Sequence, residues 1–176
     1  YKGEYTKELA EKFGFLKLDI YKLGDNTVIV SNEIFQKNKY TKLHETSFRM
    51  YLMLKVYERL DNITEWTIEK ISEVSDLNIR TVNKYISNLT DDTKLLKKSV
   101  SYKKEGSYTY SFKNSYTKKL GFTKFNINMI ENMYFNRRNA LNNTEAKLYS
   151  YIYYILRTNP DQTLRLSQEY IGSIVG

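Results

Sequence analysis

Between Ile79 and Leu89 the sequence reads IRTVNKYISNL. On a helical wheel Ile79, Val82, Ile86 and Leu89 fall within about one quarter of the circumference. Arg80, Thr81, Asn83, Lys84, Ser87 and Asn88 fill the rest, with Tyr85 at the border and no acid among them. A guanidinium, an ammonium, two amides and two hydroxyls on one surface make a set of hydrogen-bonding groups suited to recognition rather than reaction. A second cationic feature follows at once. From Lys94 to Lys124 there are nine Lys, no Arg and a single acid, Glu105. That stretch carries all of the net charge of +8, and the remaining residues sum to zero. A localised basic stripe is the footprint of a phosphate-gripping protein. A solvated Lys-rich surface has the same composition. The abundance of Asn, Lys, Ile and Tyr beside scarce Ala and Pro also marks AT-rich codon usage, which accounts for part of the Lys and Tyr excess without any function.

Groups for covalent or metal chemistry do not assemble into a constellation. His44 is the only histidine, so a paired-His metal site and a rolling-circle nuclease of the histidine-pair type are excluded, and His44 reads as a surface residue at a helix approach. The seven Gly are scattered and no GK[ST] occurs, so there is no phosphate-binding loop. Seventeen Tyr invite a tyrosine nucleophile for DNA cleavage, but that reaction needs an activating base and phosphate clamps, and only Arg137-Arg138 could contribute. Asp91-Asp92 read as a helix end rather than a metal site. The expectation is a non-enzyme with no metal and no cofactor.

At 176 residues the chain holds one large domain or two small ones, and 41% apolar residues suffice for a packed core. With no Cys, disulfides, thiolate zinc sites and thiol catalysis are out. No segment approaches the roughly 18 uninterrupted apolar residues of a membrane span. The opening YKGEYTKELAEKFG lacks the apolar run of a signal peptide. A cytoplasmic protein with no membrane partner is expected.

The elements that must position the polar face come next. TSFRMYLMLKVYERLD, residues 46–61, predicts a helix with Met50, Leu54 and Tyr57 on one face and Thr46 as N-cap. After the turn NITEW, TIEKISEVSD predicts a shorter helix with Ile68, Ile71 and Val74 inward. Asp76-Leu77-Asn78 makes the turn, Asn78 tolerating the left-handed conformation or capping the third helix, 79–89. Beyond it LLKKSVSYKKEGSYTYSFK predicts two alternating strands around Ser99, Ser101, Tyr108 and Tyr110, joined by the turn KKEGS.

Three helices followed by a basic hairpin resemble a winged helix-turn-helix over residues 46–112, with TIEKISEVSDLNIRTVNKYISNL similar to the second and third helices of that superfamily. The resemblance implies double-stranded DNA as partner, with the third helix in the major groove. Arg80 would then meet guanine, Asn83 adenine, and Thr81 a phosphate or a thymine methyl, with Lys84 beside them on the same reading face. Lys84, Ser87 and Asn88 suit backbone contacts. In the wing Lys97, Lys98, Lys103 and Lys104 would reach phosphates or a minor groove. Tyr102 and Tyr108 could hydrogen-bond phosphate, core packing being the expectation for at least one.

The chain also repeats itself. LHETSFRMYLMLKVYERL at 43–60 aligns with LNNTEAKLYSYIYYILRT at 141–158 at one offset of 98, matching Leu43 with Leu141, Thr46 with Thr144, Arg49 with Lys147 and Tyr51 with Tyr149. After two inserted residues Ile71 matches Ile171 and Val74 matches Ile174. Upstream of each lies an extended stretch running into a short helix, FLKLDIYKLGDNTVIVSNEIF and GFTKFNINMIENMYF, with GDN at 24–26 as a turn. These entries resemble those of plasmid and phage replication initiators of AT-rich bacteria, although the Pro frequent there is absent.

The expectation is therefore an α+β, mainly α protein with two tandem winged helices, the second incomplete: an arm at 1–26, a first winged helix at 27–116, and a linker with a partial second one at 117–176. The last residues, LSQEYIGSIVG, read as the middle of a motif, as if a longer protein were cut before a second reading helix. The function implied is origin binding by a replication initiator. A transcriptional regulator is the alternative. A protein-interaction scaffold is the third, since TEAKLYSYIYYIL at 144–156 is apolar around most of its circumference and could build a homodimer or larger self-assembly. A protein-binding version of helix 79–89 should show acids or exposed apolar residues on its outer face.

Overall fold

The structure, a computed structural model, describes residues 26–102, 106–113, 120–136, 138–159 and 167–175. The strand and most of the turn expected before Asn26, together with Lys103, Lys104, Arg137, Leu166 and Gly176, lie outside these residues.

The fold is α+β and mainly helical, with two small antiparallel sheets. In chain order it runs β1 (Thr27–Ser31), a 3-10 turn (Asn32–Phe35), α1 (Lys37–Tyr40), α2 (Glu45–Asp61), α3 (Ile68–Ser75), α4 (Ile79–Ser87) and a π-turn (Asn88–Asp92). Then come β2 (Leu96–Val100), β3 (Tyr108–Phe112), β4 (Phe122–Asn126), α5 (Ile127–Phe135), α6 (Asn143–Thr158) and α7 (Gln168–Val175).

The single apolar face expected for α2 understates it. Phe48, Tyr51, Leu52, Met53 and Val56 are buried along with Met50, Leu54 and Tyr57, because α2 is packed on several sides by β1, α3, α4, α5 and α6. A helix apolar around its circumference belongs at the centre of a domain, where each fully buried large side chain contributes about 1.5–3 kcal/mol. Its cap also differs from expectation. His44, extended at φ −63° and ψ 141°, is the N-cap, and its Nδ1 accepts from the Thr46 N–H at 3.1 Å. Thr46 is already one residue inside the helix and buried.

The turn between α3 and α4 resolves the two roles weighed for Asn78. Asp76 takes the left-handed conformation, φ 53°, and closes α3. Asn78 stays extended, and its side chain accepts from the Thr81 N–H at 2.8 Å to start α4. Thr67 caps α3 in the same way through the Lys70 N–H.

The two sheets do different work. β2 and β3 form the expected hairpin, Leu96 opposite Phe112 and Val100 opposite Tyr108. Trp66, between α2 and α3, forms a single bridge to Tyr110, each backbone N–H donating to the other residue's carbonyl at 2.8 Å. β1 pairs with β4, from Thr27 opposite Asn126 to Ser31 opposite Phe122. Val28, Val30, Thr123 and Phe125 point into the core and Ile29 and Lys124 away from it, the alternation of a half-buried ribbon. Buried residues from Val28 to Ile174 form one core cluster that draws on both segments expected as separate units.

Residues aligned at the 98-residue offset can be compared in their contacts. His44 and Asn142 occupy the same aligned position and both cap their helices, Asn142 in a reciprocal capping box with Glu145. Arg49 and Lys147 are also aligned, and each lies against an aromatic ring from the other segment. The Arg49 guanidinium sits 5.3 Å from the ring centres of both Tyr134 and Phe135 on α5, and the Lys147 ammonium sits 5.3 Å from that of Tyr40 on α1. The Tyr40 hydroxyl donates to the Lys147 carbonyl. The aligned pair Tyr51 and Tyr149 diverges: Tyr51 is 4% exposed beneath Phe112 of the hairpin, whereas Tyr149 is 44% exposed.

Candidate nucleic-acid interface

α4 is fixed before it presents anything. Val82, Ile86 and, in the π-turn, Leu89 are buried and hold it to the core. The Ser47 hydroxyl donates to the Tyr85 carbonyl at 3.0 Å, and the Tyr85 ring stacks on His44 at 4.1 Å. His44 thus joins the start of α2 to the end of α4, a structural role that its reading as a surface residue did not include. Asn88 completes the joint. Its Oδ1 accepts from the His44 N–H at 2.8 Å, and its Nδ2 donates to the Lys42 carbonyl and to Asp92 Oδ2, both at 2.9 Å. The amide expected to face a phosphate is therefore committed inside the protein, and Asp92 serves the helix end.

The remaining polar residues stand where the wheel put them. Arg80, Asn83, Lys84 and Ser87 are exposed, and Thr81 is half-buried with its N–H given to the cap. The Lys84 ammonium lies 4.9 Å from the centre of the Tyr85 ring. Across a cleft the hairpin presents Lys98, its ammonium 3.9 Å from the centre of the Tyr108 ring, and Lys97 is exposed on the same strand. The Trp66–Tyr110 bridge ties this hairpin to the frame that carries α4, so the two cationic surfaces are held at a set distance from each other.

The cleft between them, about 1240 Å³, has an unexpected wall. Ile79, assigned to the core by the wheel, is 49% exposed because at the first helical position no neighbouring element covers it. Val100 is 65% and Tyr108 45% exposed on the hairpin side, and Tyr102 is fully exposed. Neither Tyr102 nor Tyr108 packs in the core as expected for at least one of them. Helical spacing alone could not flag Ile79, since an apolar residue at the first position of a helix falls in register with the core whether or not anything reaches it.

Strongly perturbed ionisable groups lie elsewhere. Burial raises the Glu131 carboxyl on α5 to about 8 and lowers Lys147 on α6 to about 8, the latter opposed by Glu45. Burial also pushes the Tyr57 phenol up to about 12, and Tyr134 higher still. None of these lines the cleft. Among the described residues no group of three or more His, Asp or Glu side chains is placed to hold a metal ion, and no helix is long and apolar enough to cross a membrane. No protein-family model, curated protein or solved structure matches this chain.

Proposed function

We propose that this chain binds duplex DNA without catalysing a reaction on it, through a winged helix-turn-helix formed by α2, α3, α4 and the β2–β3 hairpin. The observation that carries the reading is the acid-free outer face of α4, with Arg80, Asn83 and Lys84 exposed on a helix that is pinned at both ends. The single bridge at Trp66, joining the α2–α3 connection to the hairpin, supplies the short third strand such a unit uses. Lys97 and Lys98 are exposed on the hairpin that would serve as the wing. The aligned caps and the exchanged cation–ring contacts support a second, related unit begun by β4, α5, α6 and α7. Two such units in one chain suit a replication initiator gripping an origin, with a transcriptional regulator as the other use of the same surface.

Selection from a random pool of duplex DNA at two salt concentrations tests this. An enriched motif with a steep salt dependence supports it, and binding at neither salt overturns it. Arg80→Ala should cost about 1–3 kcal/mol on the selected site and relax discrimination at one base pair. Equal weakening on every sequence would move Arg80 to the phosphate contacts. Lys97→Ala and Lys98→Ala should each weaken binding on all sequences and lower the salt slope by about one. An unchanged slope in both would remove the hairpin from the interface.

The exposed Ile79 gives some support to a protein-contact surface on α4. Such a surface would capture no duplex in the same selection.

A further inference from the structure

The cleft between α4 and the hairpin gathers exposed apolar side chains among polar ones. Ile79 stands on one side, and Val100 and Tyr108, paired in register, stand on the other. Lys98 lines it, while Arg80 and Lys84 are exposed on the same helix and Lys97 on the same strand. Exposed aliphatic groups gathered at one place call for an apolar ligand, since single exposed residues scattered elsewhere would not. The cations exposed on the same two elements call for a ligand carried on a polyanion. Glu65 and Glu69 line the cleft from the α3 side, and their carboxylates repel phosphate from its interior. Phosphates are thereby left to the outer cations, and an uncharged apolar group to the cleft.

One duplex group meets both conditions: the C5-methyl of thymine, which projects into the major groove and is read by apolar side chains. Resting on the DNA-binding reading above, we infer that this cleft receives thymine methyls, with Ile79 as the contacting residue and Val100 and Tyr108 as the facing wall. Ile79 then adds a specificity-determining contact to the hydrogen-bonding pair Arg80 and Asn83. Its place at the start of α4 suits this, because the N-terminal residues of a reading helix lie nearest the base edges. Asn83 lines the same cleft, so one A·T pair would offer adenine N6 and N7 to Asn83 and the thymine methyl to Ile79.

The test compares the selected duplex with a copy synthesised with deoxyuridine in place of thymidine, which removes only the methyls. Wild type should bind the uracil copy about three- to fivefold more weakly per contacted position, the value of one buried methyl. The salt slope should stay the same, since no phosphate contact changes. Ile79→Ala, on an exposed site that leaves the melting temperature near wild type, should bind the thymine duplex with the same loss and become indifferent to uracil. A selected, salt-dependent site bound equally with thymine and uracil overturns the cleft assignment and leaves the DNA reading standing. So does an Ile79→Ala protein that keeps the full uracil penalty. Absence of any enriched or salt-dependent duplex binding overturns the DNA reading itself, and the cleft then belongs to a protein partner.

Discussion

Between pH 4.5 and pH 8, Glu131→Gln should gain on wild type in unfolding free energy by roughly 3–5 kcal/mol, with a constant difference outside that window. Glu131 is 2% exposed, and its Oε2 has no hydrogen-bond partner. Asn128 Oδ1 and the Tyr134 hydroxyl, three residues to either side on the same face of α5, are likewise buried and unpaired. An ion on that stripe would face neither water nor a counter-charge, so burial holds the carboxyl protonated up to about pH 8. The unfolded chain ionises near 4.5. Across the window the folded state binds the extra proton, and stability falls as the pH rises. Glutamine keeps the shape and carries no charge to bury. Lys147 acts in the next window with the opposite sign: lowered to about 8 against 10.5 unfolded, it makes stability rise between those values. Denaturant unfolding of the two proteins at half-unit pH steps measures the difference. Parallel curves would mean that the Glu131 carboxyl is ionised or hydrated in the folded state.

The second large effect belongs to Trp66. Trp66→Ala should cost about 3–5 kcal/mol, as a fully buried aromatic removed from a core does. Trp66→Phe should cost much less than that area would suggest. The indole N–H is buried without a partner, so phenylalanine removes an unsatisfied donor along with the lost contact. The backbone bonds to Tyr110 survive both changes. Thermal unfolding of the pair decides it: a Phe variant as damaged as the Ala variant would show that the indole N–H is in fact satisfied.

Local signals in the sequence were legible wherever a side chain acts within its own turn. Asn78 starts α4 because it can reach a backbone N–H three residues on, as Thr67, expected inside its helix, does for α3, and Ile71, Val74, Val82 and Ile86 follow the helical period into the core. The same reasoning misplaced the α2 cap, since a histidine nitrogen can accept that bond as well as a threonine hydroxyl. It missed the full burial of α2 because a helix enclosed on several sides no longer shows a contrast between faces. Of the candidate site, Arg80, Asn83, Lys84, Ser87, Lys97 and Lys98 are exposed as expected. Asn88 is not available, and nothing in its spacing could tell, because its partners Lys42 and His44 are distant in sequence. Nor could the alternation in TVIVS or FTKFN name each as the other's partner.

That last pairing governs how the chain becomes ordered. Thr123 meets Asn32 across 91 residues, and the Asn32 amide donates to the Leu120 carbonyl across 88. The entropy of closing so long a loop falls on the β1–β4 ribbon, while α3, α4 and the hairpin are contiguous and close only short ones. The ribbon is a clasp that fastens the start of the described chain to the segment beyond the hairpin. A lesion there, such as a charge at Val30, would slow assembly of the whole chain while leaving the residues of α4 and the hairpin untouched.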